Sequence, residues 1–129
     1  MRTFAFAAVL TLIASTSAAQ EAPKFFSETY PEQALDQALA LDAALSGDEA
    51  ALDEKTRQLI SLAVAAQIPC SYCVHAHKRS AEAAGASEAE IREAVAAAAM
   101  IRHWSTVLNG MEYDLDAFNA EYDAMVPMN

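Results

Sequence analysis

From Pro31 onward the apolar residues return every three or four positions and nowhere alternate as a strand would, while alanine and leucine outnumber glycine and β-branched residues. That pattern predicts an all-α fold, a compact bundle of about five helices with short joints. A first helix is expected over about Glu32–Leu45, with Leu35, Ala38, Leu39 and Leu45 at core spacing and Ser46-Gly47-Asp48 as its stop. A second opens near Asp53, a good N-cap, and carries Leu59, Ile60, Ala63, Val64 and Ala66 toward Gln67, where Pro69 then breaks the chain. The third is expected from Cys70 to Gly85, a glycine suited to the left-handed conformation past a helix end. Ser87-Glu88-Ala89-Glu90 reads as a capping box opening a fourth helix, whose apolar positions Ile91, Val95, Ala98, Ile101 and Leu108 lead to Asn109-Gly110. A last helix is expected from about Met111 to Met125. Residues 20–30 read as an irregular arm ahead of one helical domain over 31–129, and no repeat is visible.

The first nineteen residues follow a different pattern. Arg2 precedes an apolar run from Phe4 to Ala14, and small residues end in Ser17-Ala18-Ala19, the layout of a secretory signal peptide over residues 1–19 cleaved near Ala19. The run is about eleven residues, short of the ~20 that span a bilayer, so export to the periplasm or the exterior is expected, without membrane insertion. Removing the leader leaves roughly 110 residues, enough for one domain but near the size where self-association helps a small core. Eight Lys+Arg stand against eighteen Asp+Glu, a net charge of −10, which argues against a nucleic-acid partner. The acidic residues are spread along the chain and read as a solvated surface.

The chemistry concentrates in Cys70-Ser71-Tyr72-Cys73-Val74-His75-Ala76-His77. Two cysteines in a C-x-x-C spacing can be a structural disulfide, a redox couple or half of a metal site. A bridge across so short a loop removes almost no chain entropy, so stability is a poor reason for the pair and redox chemistry a better one. With a helix starting at Cys70, both sulfurs lie in its first turn, where free N–H groups favour a thiolate. Cys70, Cys73 and His77 then follow the i, i+3, i+7 pattern of one stripe, which sets a base one turn above a nucleophile. His75 is rotated about 200° from Cys73 and reads as a surface or interface residue. Lys78 and Arg79 read as solvated, and His103 with Trp104 as helix packing that could also close over the site.

The stretch LDEKTRQLISLAVAAQIPCSYCVHAHKRSAEAAGASEAEI, and more weakly its flanks, resembles the carboxymuconolactone decarboxylase superfamily in its alkylhydroperoxidase D-like branch. The signature there is a glutamate twelve residues before C-x-x-C-x-x-x-H, and Cys70, Cys73 and His77 fill its last three positions. The resemblance implies an all-helical fold, assembly into trimers or hexamers, and peroxidase or disulfide-reductase activity without metal or organic cofactor. It further implies that Cys73 attacks the hydroperoxide and Cys70 resolves the product as a redox disulfide. Two positions depart from the signature: the relay glutamate is Gln58, and the histidine often found before the second cysteine is Tyr72. Gln58 carries no proton, yet it can orient a water or His77, with Glu54 one turn earlier as the nearest acid. The expected partners are a hydroperoxide or disulfide substrate and a thiol electron donor, since an oxidising compartment holds such a pair as the disulfide. Three other readings compete: a metal site on Cys70, Cys73, His75 and His77, a scaffold with a locked disulfide, and a lyase of the decarboxylase type.

Overall fold

Helices joined by short turns make up the described residues, 22–126 of this computed structural model, and no strand occurs among them. The helices are α1 (Lys24–Ser27), α2 (Glu32–Ser46), α3 (Glu54–Gln67), α4 (Ser71–Ala83), α5 (Glu88–Gly110) and α6 (Leu115–Met125). The expected signal peptide over residues 1–19 lies outside the described residues.

Side chains set four of the helix starts by satisfying N–H groups that have no partner within the helix. Asp53 accepts from the Thr56 N–H at 2.9 Å and from the Thr56 hydroxyl at 2.7 Å, and these bonds hold its carboxyl below its ordinary value. The Cys70 sulfur accepts from the Cys73 N–H at 3.2 Å. Ser87 and Glu90 form a reciprocal capping box, and Asp114 accepts from the Ala117 N–H at 2.8 Å. At the end of α4, Gly85 takes φ +85°, which lets the Ala86 N–H reach the Ala81 carbonyl at 2.9 Å and the Gly85 N–H the Glu82 carbonyl at 3.1 Å. This is the double hydrogen-bonded stop that a glycine permits.

Three expectations are corrected. The stretch read as an irregular arm contains the single turn α1, because the Pro23 carbonyl accepts from the N–H groups of Phe26 and Ser27 at 2.8 and 3.2 Å. The last helix starts at Leu115 rather than near Met111: Met111 closes α5, and Glu112 takes φ 50°, reversing the chain before Asp114 caps α6. The third helix starts at Ser71, with Cys70 outside it as the N-cap.

The chain divides into two compact units at Ala43–Ala44, within α2, a boundary that hydrophobic periodicity does not draw. Among the described residues of the first unit none is buried. In the second unit α3 packs against α4 and α5, and α4 against α5. Its core is Leu62, Ala81 and Ile91, with Leu59, Val74 and Ala86 packed against them; Ala65 and Ala98 are buried as well. Small residues at these crossings let the helix backbones approach closely. Two polar ties join α3 to α5. Lys55 Nζ donates to Glu90 at 2.8 Å, and Gln67 donates to the Ala98 carbonyl while accepting from Arg102 Nε at 2.9 Å. The hydrogen bonds from Lys55 and Ser87 bring the Glu90 carboxyl down to about 2.

Several residues placed at core spacing are exposed instead: Leu45 at 65%, Val64 at 54% and Ile101 at 72%, along with Ile60 and Val95. Periodicity identifies an apolar face but not whether a neighbour covers it. Beyond Arg102, α5 outruns α3 and carries Trp104 and Val107 in the open. Among the described residues no helix is long and apolar enough to cross a membrane.

Candidate active site around the cysteine pair

The joint between α3 and α4 is short because one residue serves both helix ends. The Cys70 N–H caps α3 by donating to the Ala65 carbonyl at 3.2 Å, and its sulfur caps α4. Its backbone is extended, φ −91° and ψ 98°, so Cys70 leaves the helical stripe in which the sequence reading placed it. Its sulfur is bonded to that of Cys73, with the Cα atoms 5.3 Å apart. The pair therefore sits, oxidised, at the N-terminal end of a thirteen-residue helix.

Cys73 and His77, one turn apart within α4, share a face, and both are half-buried. His77 Nδ1 lies 2.7 Å from Gln58 Oε1 on α3. Gln58 Nε2 donates to Glu54 Oε1 at 2.8 Å, and Glu54 Oε2 accepts from Arg57. Arg57 in turn donates to the carbonyls of Leu52 and Ser46 at 2.9 and 3.1 Å.

This chain of contacts fixes chemistry as well as position. A carboxylate can only accept, so the Gln58 amide must present its NH2 to Glu54 and its oxygen to His77. An amide oxygen also only accepts, so His77 must donate from Nδ1, which leaves Nε2 of the neutral ring with the lone pair. The result is a general base of defined tautomer, oriented by an uncharged residue at the position where the signature has glutamate.

The opposite face of α4 borders a cleft of about 560 Å³, into whose wall Cys70, Ser71, His75, Lys78, Arg79 and Glu82 enter. Ser71, His75, Lys78 and Glu82 recur at i, i+4, i+7 and i+11, so their common face could have been read from spacing; the sequence reading weighed His75 and Lys78 singly as surface and did not single out Ser71 or Glu82. Arg79 pairs with Glu82 at 3.1 Å. His75 and His77 thus serve different faces. Among the described residues no group of three or more His, Cys, Asp or Glu side chains is arranged to hold a metal ion.

Two further residues lie apart from this arrangement. Tyr72 is 89% exposed, so it packs against nothing in the site. His103 makes an edge-on contact with Trp104, ring centroids 5.1 Å apart, and no described contact brings either to the cysteines.

Comparison with known proteins agrees with the helical architecture. A stretch of 67 residues, 52% of this chain, is 40% identical to a Paracoccus denitrificans protein described as uncharacterized protein 4 in the cox locus. The alignment covers 60% of that protein, so the chain spans less than two thirds of its length. Residues 32–114, which hold the cysteine pair, His77 and the α3 residues that orient it, match the model of the carboxymuconolactone decarboxylase family. The chain belongs to the carboxymuconolactone decarboxylase family.

Proposed function

We propose that this chain is a thiol-dependent peroxidase or thiol–disulfide oxidoreductase of the alkylhydroperoxidase D-like branch, exported to the periplasm or the exterior and assembled as a trimer or hexamer. The observation that carries this reading is the Cys70–Cys73 disulfide at the N-terminus of α4, with His77 held one turn above Cys73 by Gln58.

In the reduced protein the Cys73 N–H, donated to the sulfur of the N-cap residue Cys70, favours a thiolate at Cys70. The free Nε2 of His77 is a base for the Cys73 proton and, with the family resemblance, is what assigns the attack to Cys73. The Cys73 thiolate attacks one peroxide oxygen. The O–O bond breaks, an alcohol leaves with a proton, and Cys73 becomes a sulfenic acid. The Cys70 sulfur then displaces hydroxide, which departs as water with a proton from His77, and the disulfide re-forms. Two electrons from an external thiol restore the dithiol. Gln58 supplies orientation without a proton, and Glu54 stands behind it as the carboxylate of the network.

The test is hydroperoxide consumption by the mature protein with a small dithiol as donor. Wild type is expected to turn over, Cys73→Ser and Cys70→Ser to lose turnover, and His77→Asn to fall by about 10²–10⁴-fold. Absence of both peroxide turnover and disulfide exchange in wild type would sink the reading. Gln58 also favours a second reading, a scaffold with a locked disulfide. The reduction potential of the pair separates the two, since a value below about −300 mV marks a structural bridge.

A further inference from the structure

The two faces of α4 divide the cysteine pair. Cys73 shares a face with His77, which meets Gln58 of α3, whereas Cys70 enters the wall of the 560 Å³ cleft on the other face. The cleft is open to solvent, so it admits one end of a small molecule rather than enclosing it. Its charged lining is uneven. Arg79 is neutralised by Glu82 at 3.1 Å, but Lys78 has no acidic partner among the described residues. A cation without a partner thus lines the same cleft as Cys70, in a chain whose net charge is −10.

From this geometry we infer that the cleft is the docking site of the reducing thiol, that this donor is a small carboxylate-bearing thiol, and that it attacks Cys70 rather than Cys73. The inference rests on the redox reading above and adds to it the sulfur attacked and the chemical class of the donor. The donor thiolate, its carboxylate toward Lys78, bonds to Cys70 Sγ. The Cys70–Cys73 bond breaks, and its electron pair leaves with Cys73, where a proton carried by His77 receives it. The products are a donor–Cys70 mixed disulfide and a Cys73 thiol. A second donor thiolate attacks the donor sulfur of that mixed disulfide and forms donor disulfide; Cys70 leaves as thiolate and takes up a proton. Two thiols are oxidised and one disulfide is reduced. Of the other charged groups in the wall, Glu82 is paired with Arg79, and His75, exposed there, adds positive charge only when protonated. The discrimination therefore rests on Lys78.

The experiment starts from the oxidised mature protein without peroxide and follows reduction of the disulfide by 3-mercaptopropionate, 2-mercaptoethanol and cysteamine, compared at equal thiolate concentration. The carboxylate-bearing thiol is expected to react about fivefold faster than the neutral one, the factor that one nearby unit charge gives in water, and the cationic thiol more slowly. In Lys78→Gln that ratio is expected to fall to the one the same two thiols show toward a neutral small-molecule disulfide, which their basicity alone sets, and in Lys78→Arg to persist. In the reverse direction, reduced Cys73→Ser is expected to form a mixed disulfide with 3,3′-dithiodipropionate faster than Cys70→Ser does, by mass spectrometry. Equal rates for all three thiols, a ratio unchanged in Lys78→Gln, or faster labelling of Cys73 would each overturn the inference and leave the redox reading standing. Resistance of the disulfide even to dithiothreitol would instead remove the redox reading itself.

Discussion

Gln58 is the residue at which this chain departs most from the signature it otherwise carries. A glutamate there could accept and release a proton, whereas the amide only fixes the ring. Held by Glu54 at 2.8 Å and facing His77 at 2.7 Å, it imposes the Nδ1–H tautomer and frees Nε2 toward solvent or a thiol. Gln58→Leu is expected to lose that control and to lower kcat/KM for peroxide about tenfold, the worth of one hydrogen bond to a part-buried group. Imidazole ¹⁵N shifts give an independent check: wild type is expected to report His77 protonated at Nδ1, and Gln58→Leu a mixture of tautomers. Gln58→Glu, which keeps an acceptor on Nδ1, is expected to retain the tautomer. A common tautomer mixture in wild type and Gln58→Leu would remove the orienting role.

Among the elements, the start of α5 carries the most polar structure. Ser87 accepts from the Glu90 N–H at 3.2 Å, its own N–H donates to Glu90 Oε2 at 2.7 Å, and Lys55 reaches the same carboxylate from α3. Ser87→Ala is expected to cost about 1 kcal/mol by denaturant titration, the usual effect of losing an N-cap. Glu90 titrates at about 2 in the folded chain against its ordinary 4.5. A carboxyl lowered by folding adds stability that is complete above about 4.5 and fades as the pH falls through about 2. Stability should therefore decline across that window, and Glu90→Gln should flatten the decline while lowering the neutral-pH melting temperature. Lys55, raised by the same contact, contributes below its ordinary 10.5 and loses its share only as the pH rises past its raised value.

Across the molecule, the buried core is small for so apolar a sequence. Leu62 is the largest fully buried side chain among the described residues, and Leu62→Ala is expected to cost about 2–5 kcal/mol, since the backbones of α4 and α5 packed against it limit collapse of the cavity. Against that small core stand the open apolar residues of the second half of α5 and of α6, among them Trp104, Val107, Phe118 and Tyr122. The proposed trimer or hexamer would cover such surface. Sedimentation equilibrium of the mature protein is expected to give a multiple of the chain mass, and Trp104→Glu with Ile101→Glu to shift it toward monomer. A concentration-independent monomer in wild type would overturn the assembly.

The class of the fold, the helix starts at Asp53 and Ser87, the stop at Gly85 and the grouping of Cys73 with His77 were legible in the sequence. Each depends on contacts within a few residues of chain, such as caps, a left-handed glycine and the 3.6-residue turn. Three matters depended on neighbours distant in sequence, and periodicity is blind to them. Which apolar faces are covered was one: Leu62 is buried while Val64, two residues on, is half exposed, because α4 and α5 lie on one side of α3 only. The fate of Cys70 was another, since its N–H is used by α3 and its sulfur by α4, which turns it out of the stripe and into a cleft. The last was the partner of His77. The sequence offered Gln58 and Glu54 as candidates, but only the packing of α3 on α4 set an amide oxygen 2.7 Å from Nδ1, and hydrogen-bond polarity then left the ring one tautomer.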